Sequence, residues 1–114
     1  PIMTTGGIVR LPVAQKVLDE GVDMVGLGRA LAFSPDLAKR WKISPDYQAI
    51  LPKVQWKDKT MAAIATMAIT RRQLQRMGKG KAPKSNLSPL ISLITDQIRL
   101  KKLTKIYRNR YANN

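Results

Sequence analysis

The chain has 114 residues, with 21 Lys and Arg against 7 Asp and Glu, and neither Cys nor His, for a formal charge of +14. The lack of Cys excludes disulfides, thiolate metal sites and cysteine nucleophiles, and the lack of His removes the usual general base. At 44% hydrophobic but only 5% aromatic residues, the chain suffices for a core of about one ordinary domain, and by itself it is not expected to be a complete enzyme.

The opening residues, Pro1-Ile2-Met3-Thr4-Thr5-Gly6-Gly7, read as a strand over 2–5 that runs into a glycine turn. No basic leader with an apolar stretch precedes it, and no apolar run approaches the ~20 residues that cross a bilayer. The expectation is the C-terminal portion of a longer soluble, cytoplasmic protein. Pro12 suits the start of a helix over 12–20, because its missing N–H does no harm there. Val13, Ala14, Val17 and Leu18 recur at helical spacing, and Gly21 supplies the stop. A second apolar run over 22–27 ends at Gly28-Arg29. Strand, helix, strand is a βαβ unit with parallel strands.

Both strands end in glycine, where the backbone can approach a ligand closely and aim N–H groups at an anion. A lone Gly-Gly reads more simply as a tight turn. Two glycine ends on adjacent strands, with the Arg29 guanidinium beside them, make Gly6, Gly7, Gly28 and Arg29 a candidate phosphate cradle. No catalytic or metal-binding residue stands out.

These residues carry a resemblance. Pro1 to Ile8, then Gly21-Val22-Asp23-Met24-Val25-Gly26-Leu27-Gly28-Arg29-Ala30-Leu31, then Ser34-Pro35-Asp36-Leu37 are similar to the end of the old yellow enzyme family, the FMN-dependent NADH:flavin oxidoreductases. The resemblance covers residues 1–42. It implies an α/β fold, with this chain forming the last two strands of a TIM (β/α)8 barrel, followed by a mainly α-helical, basic C-terminal extension. It further implies that Gly6, Gly7, Gly28 and Arg29 hold the FMN phosphate. The parent protein would then pass hydride from NAD(P)H through FMN to an activated alkene or similar acceptor. The family's substrate-anchoring pair and tyrosine proton donor would lie upstream, so this portion alone is expected to be inactive.

Beyond the resemblance, Ser34-Pro35 marks a helix start and Leu37 and Trp41 its buried side. Residues 43–59, interrupted by Pro45 and Pro52, read as a connector, with Tyr47 and Trp56 as packing anchors. Residues 60–114 read as the basic helical extension. Thr60 precedes a helix over 61–77, with Met61, Ile64, Ala65, Ala68, Leu74 and Met77 as its apolar face, and residues 79–86 form a turn-rich linker. Ser88-Pro89 caps a last helix, in which Leu90, Ile91, Ile94, Ile98 and Leu103 form the stripe and Asp96 finds Arg99 at i+3. The stretch 101–110 is basic and expected to fray.

Charge divides the chain unevenly. Residues 1–58 hold eight cations and six acids, a net +2, whereas 59–114 hold thirteen cations against Asp96 alone, a net +12. The rival reading is therefore a basic helical interaction module binding nucleic acid or a protein partner. No zinc-finger spacing, RNA-recognition signature or helix-turn-helix supports nucleic acid. Packing of the last helix, against the parent protein or a second copy in a homo-oligomer, ranks ahead of a membrane-surface role.

Overall fold

The glycine-punctuated opening folds as a βαβ unit. Strand β1 (Met3–Thr5) pairs parallel with β2 (Met24–Gly26), in the register Met3 with Met24, Thr4 with Val25 and Thr5 with Gly26, and α1 (Leu11–Asp19) connects them. Pro12 lies in the first turn of α1, where its fixed φ is already helical. The computed structural model describes residues 1–112. Two further elements follow at short intervals and two after longer connections: α2 (Gly28–Phe33), α3 (Leu37–Ile43), α4 (Lys59–Met77) and α5 (Pro89–Tyr111).

The assignment to the last two strands of a (β/α)8 barrel is overturned. Among the described residues the sheet has two strands only, and five helices hold more than half of the chain. Each strand is three residues long, and Met3 and Met24 are 61% and 56% exposed. Barrel strands are paired on both edges and covered on both faces. This pair meets neither condition, and the chain is mainly helical.

The chain divides into two compact units. One comprises residues 1–51 with 76–85, the other 52–75 with the chain from 86 onward. The first owns a hydrophobic core of Ile8, Ala14, Ala30, Leu37, Trp41 and Ala49. Tyr47 packs against it and ties its rim together. The Tyr47 carbonyl accepts from Trp41 Nε1 at 2.9 Å, and Arg40 lies 4.9 Å from the centre of its ring. Arg40 also donates to Asp36 at 2.8 Å, and that hydrogen bond, then the Asp36 charge, raises the guanidinium above its ordinary range. A single antiparallel bridge between Arg10 and Gln48, with Ala49 N–H donating to Val9 at 3.0 Å, returns the irregular stretch after α3 to this core.

In the second unit the helices form where the sequence places them, but α4 buries only part of its expected face and α5 none of it. The N-terminal turn of α4 is closed by Asp58, whose carboxylate accepts from Met61 N–H at 3.0 Å, rather than by Thr60. Ala62, Ala65, Ala68, Ile69 and Gln73 are its buried residues; Ala65 and Ala68 belong to the expected apolar face, while Met61, Ile64 and Leu74 of that face are exposed. Ser88 caps α5, accepting from Ile91 N–H at 3.4 Å. Along α5 the whole expected stripe is exposed, and Ser92 and Asp96 are buried instead. The cause is polar pairing between the helices. Arg71 of α4 donates to Asp96 at 2.7 Å and Arg72 to Ser92 at 3.3 Å, so Asp96 pairs with Arg71 and not with Arg99. The basic stretch after Leu100 continues as helix to Tyr111.

Candidate functional site

Where β1 ends, two consecutive glycines take positive φ, +113° at Gly6 and +68° at Gly7. Such a pair is open to glycine and strained for other residues. Ile8, buried in the core, then fixes the way out of the turn. Where β2 ends, Gly28 opens α2 directly and Arg29 follows in its first turn. Parallel pairing places these two chain ends side by side, and they share one cavity of about 190 Å³.

Gly6, Gly7, Gly28 and Arg29 all line that cavity. An added Cβ at Gly6, Gly7 or Gly28 would meet nothing within 4 Å. Open space thus lies against the backbone at three points, which is the shape of a cradle that side chains would fill. Arg29 is exposed and, among the described residues, makes no ion pair, and it is the only charged side chain on the cavity wall.

Sequence reasoning missed six residues of the wall, and three of them show why. Thr5 and Gly26 face each other across the strand pair, and the Thr5 hydroxyl donates to the Gly26 carbonyl at 3.1 Å. A Cβ at Gly26 would sit 2.9 Å from the Thr5 Cβ, a distance real side chains do not reach. The signal for this was present in Gly26, a glycine inside a strand, which marks close approach of another chain segment. The third, Leu51, comes from the irregular stretch after α3 and has no local signature.

The chemistry available here is narrow. Thr5 and Arg29 supply the only polar side chains on the wall; it carries no carboxylate, lysine or tyrosine. Such a site can bind and orient an anion, and it has no group to move a proton near neutrality. Among the described residues no cluster of three or more acids could hold a metal ion, and no helix is long and apolar enough to cross a membrane. No protein-family model, curated protein or solved structure matches this chain.

Proposed function

We propose that this chain holds the phosphate end of FMN, as part of a cytoplasmic FMN-dependent oxidoreductase. The observation that carries the reading is the convergence of two glycine-ended strands and Arg29 on one small cavity. Its volume decides which part of the ligand fits. Sites that enclose a whole drug-sized ligand run to roughly 300–1,000 Å³, so about 190 Å³ suits a phosphate and the first atoms of a ribityl chain. When bound, the flavin supplies hydride transfer from NAD(P)H to an activated alkene or similar acceptor. The residues of this chain would bind and orient: backbone N–H groups at Gly6, Gly7 and Gly28 would hold the phosphate, and Arg29 would balance its charge.

The magnitude follows from the same parts. One charge-assisted contact contributes about 1.5–3 kcal/mol and each neutral hydrogen bond about 1 kcal/mol. With one such contact and three backbone N–H groups, the chain should therefore hold FMN with a dissociation constant on the order of 0.1 mM. Amide chemical shifts of Gly6, Gly7 and Gly28 should move on titration with FMN and with inorganic phosphate, and stay put with riboflavin, which lacks the phosphate. Arg29→Ala should weaken FMN binding on the order of 10- to 100-fold, while Lys39→Ala on α3 leaves it unchanged. Equal responses to FMN and riboflavin, or wild-type affinity in Arg29→Ala, would sink the assignment.

A further inference from the structure

The C-terminal half of α5 presents two kinds of surface side by side, and both are exposed among the described residues. Leu100, Leu103, Tyr107 and Tyr111 follow one another at i, i+3, i+7 and i+11, the spacing of a single helical stripe, and all four are exposed. The rings of Tyr107 and Tyr111 lie together, with centroids 4.6 Å apart. Beside that stripe run Lys101, Lys105 and Arg108 at i, i+4 and i+7. With Leu100 and Thr104 they line a shallow groove along the helix. No acidic residue follows Asp96 in the sequence. Among the described residues, none of these three cations is in an ion pair.

We propose that residues 100–111 are a docking surface for an anionic lipid bilayer. The pairing of the two stripes selects this occupant. A lipid surface takes apolar side chains into the acyl boundary, tyrosines at the polar level and Lys or Arg against the headgroup phosphates. A nucleic acid would engage the cations and leave Leu100 and Leu103 in water. A second copy would bring a like-charged row against this one, within a chain already at +14. The N-terminal half of α5 is also exposed at Leu90, Ile91, Ile94 and Ile98; Ile94 and Ile98 lie in line with Lys101 and Lys105, at i, i+4, i+7 and i+11, but no cation precedes Arg99 on this helix, and the proposed surface starts at Leu100.

Flotation of the whole chain with vesicles tests this. Vesicles of equal parts phosphatidylcholine and phosphatidylglycerol should carry the protein up, and pure phosphatidylcholine vesicles should not. Each cation near an anionic surface contributes roughly a fivefold gain in binding, so Lys101→Gln with Lys105→Gln and Arg108→Gln should lower partitioning on the order of 100-fold. Leu103→Ser with Tyr107→Ser should lower it at least tenfold at unchanged charge. Lys39→Gln, which removes one charge elsewhere, should change it less than twofold. Should circular dichroism show that the triple variant has lost helix, Lys101→Gln alone, about fivefold weaker, serves instead. Four results would overturn the proposal: no flotation with anionic vesicles, equal flotation with neutral ones, indifference to the Leu103 and Tyr107 changes, or a dimer that those changes dissociate.

Discussion

Gly28 separates binding from folding more cleanly than any other residue of the cradle. Its φ lies outside the left-handed region, unlike those of Gly6 and Gly7, and an added Cβ there meets only open space. Valine is a slightly better helix residue than glycine, so Gly28→Val should keep the melting temperature within about 2 °C of wild type. The new methyls would stand where the phosphate must come, and the loss of FMN affinity should exceed that of Arg29→Ala. Fluorescence titration beside a thermal melt checks both halves. A variant with unchanged melting and unchanged affinity would place the phosphate elsewhere. Valine at Gly6 or Gly7 would give no such separation, because the backbone there is strained for it. These four residues were legible in the sequence because each follows a short apolar run at its end. Leu51 was not, since nothing in an irregular stretch announces where it folds back.

Helix positions were legible from punctuation. Pro12, Gly21 and Ser88-Pro89 stand at or beside the ends of α1 and the start of α5, for reasons local to a few residues. Which face each helix buries was legible for α3, where Leu37 and Trp41 are buried as expected, in part for α4, where Ala65 and Ala68 are, and not for α5. The stripe rule assumes that the apolar side goes inward; α4 buries mostly alanines, whereas in α5 polar pairing brings Ser92 and Asp96 inward instead. Arg71 and Asp96 are 25 residues apart, so no i+3 or i+4 spacing marks them as partners. Asp96→Ala tests how much that pairing contributes. One charge-assisted bond would be lost, discounted because the Arg71 end is open to solvent, for a cost of about 1–2 kcal/mol. The helical signal should melt at lower urea concentration. An unchanged midpoint would mean that the pair only sets register and adds no stability.

At the scale of the whole molecule, the composition dictates how the protein answers pH. Histidine and cysteine are the side chains whose ordinary ionisation lies closest to neutrality, and the sequence has neither. The melting temperature should therefore be flat between pH 6 and 8, to within about 2 °C, as a calorimetric series would show. Phosphate binding should still depend on pH, through the ligand. A phosphomonoester loses its second proton near pH ~6, and the dianion is the better partner for Arg29, so affinity should rise from pH 5 to 7 and then level off. Riboflavin supplies the matching control, with no pH dependence to follow. The (β/α)8 expectation failed at this scale. Two short strands look alike in sequence whether they end a barrel or stand alone. What tells them apart is the pairing of their outer edges, which no residue within them records.

The close fit of Thr5 against Gly26 also sets an order on how this site can change over time. A methyl at position 26 would press into the threonine that now sits over it, so a lineage that acquired alanine there first would lose the alignment of both strand ends at once. Shrinking position 5 to glycine beforehand removes the obstacle and leaves the parallel pair to absorb the second step. The two positions are thus coupled, and either way the path passes through glycine at both.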